Sequence, residues 1–157
     1  MSELDLTYCS FGPNSRPDYE LQARTLIAAD LWQLTPPDPF SSWVGQCVPK
    51  KEGDLYCALL EDEKMVAVGT LFPALWERPM DFYLLNILVV ASEYRKKNIG
   101  SRMLALVEKE AHSLGAAGVK LKALDSSKGF FLRHNYEPFE YRKEGRPRTL
   151  YIKEFSE

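Results

Sequence analysis

Histidine is scarce in this chain, with only His112 and His134, and cysteine is limited to Cys9, Cys47 and Cys57. Two imidazoles and three thiols with no close pair argue against a histidine-based metal centre, a zinc knuckle and a disulfide framework. The expectation for metal ligands is therefore none. No apolar run approaches the length of a membrane span. The opening residues Met-Ser-Glu-Leu-Asp lack the basic and apolar regions of a secretory leader. Charge of one sign is also missing: the formal net charge is −2, which removes the electrostatic case for nucleic acid or an anionic membrane as partner. Neither Gly-x-x-x-x-Gly-Lys-Ser/Thr nor Gly-x-Gly-x-x-Gly is present, so a nucleotide P-loop and a dinucleotide-binding turn are not expected. A reducing, cytoplasmic location is the expectation drawn from these absences.

What is present describes a folded chain. Of 157 residues, 45% are apolar and 27% charged, enough to build one substantial core and consistent with a single domain over residues 1–157. Leu4 to Tyr8 alternates and reads as a first strand. Leu21, Ala23, Leu26, Ile27 and Leu31 follow a helical period after Pro17 and stop before Pro36-Pro37. Phe40 to Val48 reads as a short helix opened by Ser41 or Ser42, with Trp43 as its apolar anchor. Leu55 to Leu60 and Met65 to Leu71 flank the polar Glu61-Asp62-Glu63-Lys64 as a hairpin. Phe82 to Val90 is almost continuously apolar, as a central strand covered on both faces would be. Ile99, Met103, Leu106, Val107, Ala111 and Leu114 fall on one face of a helix, and Gly115 and Gly118 supply its stop. A strand follows from Val119 to Leu124. Ser126 or Ser127 opens a short helix to His134, with Asp125 available as cap. Glu137 to Arg142 and Thr149 to Phe155 close the chain as a hairpin around Glu144-Gly145-Arg146-Pro147.

The stretch Val90-Ala91-Ser92-Glu93-Tyr94-Arg95-Lys96-Lys97-Asn98-Ile99-Gly100-Ser101 carries the chemistry. An apolar strand runs into a basic turn and a helix opens at two small residues. The first N–H groups of a helix have no intrahelical partner and lie at the positive end of its dipole, so such a turn makes an anion site. Gly100 and Ser101 let an anion approach the main chain. Asn98 tolerates a left-handed backbone, and Arg95, Lys96 and Lys97 add positive charge. Taken as residue types alone, the same run also fits a solvated surface turn.

Arg95-x-x-Asn98-x-Gly100-Ser101 after this strand resembles the pyrophosphate loop of the GNAT superfamily of acyl-CoA-dependent N-acyltransferases. That loop usually reads Gln/Arg-x-x-Gly-x-Gly/Ala, from which Asn98 and Ser101 depart. Phe130 to Tyr136 is similar to the family's Phe-Tyr-x-x-x-Gly-Phe, and the order of elements matches over most of the chain. The resemblance implies an α/β domain with a GNAT-like mixed sheet of about seven strands and about four helices. It implies acetyl-CoA as co-substrate, held by Leu88, Val89, Val90, Arg95, Lys96, Lys97, Asn98, Ile99, Gly100, Ser101 and Phe131. It also implies transfer of acetyl to a primary amine by direct attack in a ternary complex.

The usual catalytic pair does not match. The family often places a Glu where Leu84 or Asn86 stands, and Asn86, which cannot act as a base, could hold a water or orient the amine. The usual Tyr acid is Phe131. Asp81, Glu77 and Glu20 are carboxylates without an assignable role, and Tyr136 and Tyr83 are the nearby phenols. The expected acceptor is a small-molecule amine or a protein amine, and a homodimer is admitted. A non-catalytic acyl-CoA-binding module and a protein or peptide N-acetyltransferase are the competing expectations. Trp32, Phe40, Trp43, Trp76 and Tyr141 fall in segments that the resemblance gives to the acceptor, although aromatics there are more often core. Asp18, Glu20, Asp30 and Asp38 could attract a cationic amine or merely be solvated.

Overall fold

A computed structural model describes residues 5–75 and 77–156. Within these residues seven strands form one sheet in the order β1-β2-β3-β4-β5-β7-β6: β1 (Thr7–Phe11), β2 (Leu55–Glu61), β3 (Lys64–Phe72), β4 (Phe82–Val90), β5 (Gly118–Leu121), β6 (Glu137–Lys143) and β7 (Arg146–Glu154). Among the described residues, four α-helices accompany them: α1 (Pro17–Leu26), α2 (Ser42–Gly45), α3 (Ile99–Ser113) and α4 (Lys128–Arg133). The expected mixed α/β sheet is the observed one. All pairings are antiparallel except β4 with β5, which α3 connects. Both α1 and α3 pack on β3, whose residues from Met65 to Leu71 are all buried, as a strand covered on both faces must be.

Several boundaries differ from those expected. The first strand lies three residues later, because Thr7 to Phe11 pair with Leu60 to Tyr56 and Phe11 stacks on Tyr56 at 4.9 Å; Leu4 falls outside the described residues. The helix expected up to Leu31 is α-helical only to Leu26 and widens into a π turn over Ile27–Leu31. The second helix shrinks to one turn capped by Ser41, whose hydroxyl accepts from the Val44 N–H at 3.3 Å. Val44, not Trp43, is its buried anchor. Ser127 holds the N-cap position of α4, in place of Asp125. The closing turn is the two-residue Glu144-Gly145, with φ of 54° and 77°, the pair of left-handed residues that a tight hairpin turn uses.

The fifth strand ends at Leu121 and does not reach Leu124. Alternation also fails there, because Lys120 is buried between Val119 and Leu121. Its Nζ donates to the carbonyls of Ala74, Glu77 and Pro79 at 2.6, 2.7 and 3.1 Å. Burial lowers the ammonium pKa, and three carbonyl acceptors offset part of that cost. Lys120 thereby ties the loop between β3 and β4 to the foot of β5.

At that foot, Gly118 is sterically required. A Cβ placed there would collide with the Lys153 carbonyl oxygen and the Phe82 ring. Gly118→Ala is expected to destabilise the fold by about 1–3 kcal/mol through this overpacking. Urea unfolding would show a lower midpoint at unchanged m.

Candidate active site

β4 carries the geometry that opens the site. Its register against β3 slips between Thr70 and Leu71: Thr70 opposes Ile87 while Leu71 opposes Leu85. Asn86 is the extra residue, a β-bulge in the strand. On its other edge β4 pairs with β5 only at Phe82, Tyr83 and Leu84. The two parallel strands part just beyond Leu84, four residues before the Leu88 to Val90 segment. The Ala91 N–H donates to the Val66 carbonyl at 2.9 Å. Because a strand's backbone groups alternate, those of Val89 then face β3 while those of Leu88 and Val90 face the open edge. There Arg95 Nε donates to the Val90 carbonyl at 3.2 Å.

A groove of about 910 Å³ runs from this edge across the start of α3. Leu88, Val90, Arg95, Lys96, Asn98, Gly100 and Ser101 line it, with Val89 and Ile99 as core side chains at its floor. Asn98 is left-handed, at φ 61°, and so is Lys96, at φ 66°. Lys97 is not a lining residue; its Nζ lies over the Tyr94 ring, 5.3 Å from the centroid. Arg95 also donates to the Asp30 carbonyl at 3.3 Å and lies 3.7 Å from its carboxylate, so part of its charge is shared with the π turn.

Arg133 and His134 line the same groove, and sequence reasoning missed both. His134 Nδ1 faces the Phe130 carbonyl oxygen at 2.8 Å and Nε2 faces Ser101 Oγ at 2.9 Å. A carbonyl can only accept, so Nδ1 carries the proton and, in the neutral ring, Nε2 accepts the Ser101 hydroxyl. No sequence signal links these partners, which are 33 positions apart.

Beyond the groove lies a chamber of about 770 Å³ between the parted strands, sharing Leu31, Leu88, Val90, Gly100, Ser127 and Phe130 with it. Phe130 is the ring that bridges the two and lies 3.6 Å from where a Gly100 Cβ would be. Phe131 lines only the chamber and is otherwise buried, edge-on to Phe130 and Tyr136. Asn86 lines the chamber, its Nδ2 3.5 Å from the Cys47 carbonyl oxygen, at the limit of a hydrogen bond.

The carboxylates and phenols considered for proton transfer are elsewhere. Tyr136 donates to Glu108 at 2.8 Å, and burial pushes its phenol pKa far up. Glu20 accepts from Tyr56 at 2.8 Å. Glu77 and Asp81 offer backbone carbonyls, to Lys120 and to the Ala117 N–H. None of these lines either space, nor does Tyr83. Among the described lining residues, the chamber holds no carboxylate and no histidine. Phe40 and Tyr141 are outside it as well, Trp32 is at its wall, and Trp76 falls outside the described residues.

The profile of the Acetyltransferase (GNAT) family matches residues 18–136. No curated protein matches the chain. Solved structures share its fold. An acyl-CoA N-acyltransferase from Pseudomonas aeruginosa has a TM-score of 0.72 at 14% identity, over 95% of this chain and 99% of its own. The aminoglycoside 6'-N-acetyltransferase from Enterococcus faecium has a TM-score of 0.68 at 18% identity, over 94% and 96%. An aminoglycoside 6'-N-acetyltransferase complexed with coenzyme A has a TM-score of 0.67 at 18% identity, over 94% and 96%.

Lys96 gives a direct test of the turn. Replacing it by glycine should remove a left-handed penalty of about 1 kcal/mol and raise the melting temperature by roughly 2–4 °C, while taking a cation out of the groove.

Proposed function

The chain belongs to the Acetyltransferase (GNAT) family, and from that premise we propose that it moves an acetyl group from acetyl-CoA to a primary amine. The observation that carries the reading is the continuity of an anion-binding helix start with the open edge of β4. The pyrophosphate would meet the free N–H groups at the start of α3, with Lys96, Arg133 and the Ser101 hydroxyl around it. The pantetheine arm would pass Gly100 and Phe130 and complete the hydrogen bonding of Leu88 and Val90, whose backbone groups lack a strand partner. An N–H on that edge would polarise the thioester carbonyl as negative charge develops.

The amine nitrogen attacks the acetyl carbon directly, the C–S bond breaks, and the departing thiolate takes a proton. Among the described residues the chamber offers no carboxylate or imidazole as base, so the ammonium proton goes to solvent and attack depends on the neutral fraction of the amine. Phe131 cannot protonate the thiolate, which leaves water as the acid. The rate advantage then comes mainly from holding amine and thioester together. Asn86, at the bulge and facing the chamber, orients the amine or a water. The same lack of a base favours the second reading, an acyl-CoA-binding module without turnover.

Thiol release from acetyl-CoA in the presence of an amine panel separates the two readings. For the enzyme, kcat/KM should rise about tenfold per pH unit toward the acceptor's own pKa, with no limb belonging to a protein group. Gly100→Glu should fold and lose CoA affinity by roughly a hundredfold, about 2.8 kcal/mol, as read by calorimetry. Unchanged affinity in the folded variant would remove the groove from the mechanism. Asn86→Ala should lower turnover more than CoA affinity, and wild-type turnover would leave Asn86 without a role.

A further inference from the structure

Trp32, Leu124, Cys47, Asn86 and Lys122 line the chamber and not the anion groove. Two of them leave apolar surface facing solvent. Trp32 is 38% exposed and Leu124 69%. Trp43, itself 53% exposed, lies with its ring 5.4 Å from that of Trp32. Aromatic pairs of this kind are normally buried for their large hydrophobic gain, and this one stays partly exposed with Trp32 in the chamber lining.

Charge narrows the choice of occupant. Among the described residues lining the chamber, Lys122 is the only one with a formal charge. The Cys47 thiol is kept neutral because burial raises its pKa. Glu20, Glu63, Glu108 and Glu110 are each taken up by a tyrosine hydroxyl away from this wall. A polycationic acceptor would therefore give up hydration without meeting a counter-charge, which is costly. An acceptor bearing a carboxylate would find one cation, Lys122.

We propose, on the reading of the site as an N-acetyltransferase, that the acceptor is an α-amino acid with a large apolar side chain. Its side chain packs on Trp32 and Leu124, its carboxylate meets Lys122, and its amine points past Asn86 toward the open edge at Leu88. The amine nitrogen forms an amide bond to the acetyl carbon and the thioester C–S bond breaks. One proton leaves the ammonium for solvent before attack and one leaves with the thiolate, so the products are an N-acetyl amino acid and CoA thiol.

The experiment is a thiol-release assay of the full chain with acetyl-CoA and L-phenylalanine, L-tryptophan, phenethylamine, kanamycin or spermidine as acceptor. The two amino acids should give kcat/KM at least about tenfold above the other three, roughly the effect of one favourable charge-assisted contact. Lys122→Ala should raise KM for phenylalanine with kcat unchanged and leave phenethylamine unaffected, whereas Trp32→Ala should raise KM for both. Higher kcat/KM for kanamycin or spermidine, or for phenethylamine over phenylalanine, overturns the proposal. So does an equal effect of Lys122→Ala on phenylalanine and phenethylamine. If neither amino acid is turned over, calorimetry with CoA locates the failure: binding of CoA overturns only the amino-acid assignment, and no binding overturns the transferase reading with it.

Discussion

The parting of β4 from β5 just beyond Leu84 is the constraint on which the site depends. Parallel strands normally satisfy one another along their length, and an unpaired buried edge is costly. Here pairing is secured below the fork and prevented above it. Gly118 lets β5 press against Phe82 and Lys153 at a distance that admits no side chain. Two residues on, Lys120 pins the β3–β4 loop through three carbonyls. Above the fork the bulge at Asn86 turns the strand, and Leu88 and Val90 present backbone groups to a cavity instead of a neighbour. Were the strands zipped to their ends, the chamber would close and the start of α3 would face an ordinary sheet edge.

A second regularity is the pairing of tyrosines with glutamates. Tyr8 donates to Glu110, Tyr19 to Glu63, Tyr56 to Glu20, Tyr94 to Glu61 and Tyr136 to Glu108. Each pair satisfies a phenol and a carboxylate at once across distant parts of the chain, which suits half-buried polar groups. The chemical consequence is subtraction. Glutamates that composition would offer as bases are spent on holding elements together, and none of these five lines the chamber.

The turn before α3 concentrates local strain at the site. Lys96 and Asn98 both take left-handed backbone within three residues, and non-glycine residues persist there only where the surroundings impose it. Arg95 supplies part of that imposition by bonding back to Val90 and Asp30, while Ser92 N–H donates to the Asp30 carboxylate at 3.2 Å. His134, fixed by the Phe130 carbonyl, in turn fixes the Ser101 hydroxyl. Helix start, basic turn and α4 are thus one hydrogen-bonded unit.

Much of this was determined by the sequence alone. The continuous apolar run of β4, the heptad-like face of α3 and the polar turn of the β2–β3 hairpin are local patterns, and periodicity reports them directly. The tolerance of Asn98 for a left-handed backbone is likewise a property of one residue. What only the tertiary structure decided are the facts that need two distant partners. The end of the fifth strand at Leu121 depends on where β4 leaves it. The burial of Lys120 depends on three carbonyls more than forty positions away. That Phe130 and not Phe131 bridges groove and chamber, and that His134 meets Ser101, both depend on how α4 docks against α3. Side-chain direction and long-range contact carry no sequence period, so a pattern can name the candidate residues while packing chooses among them.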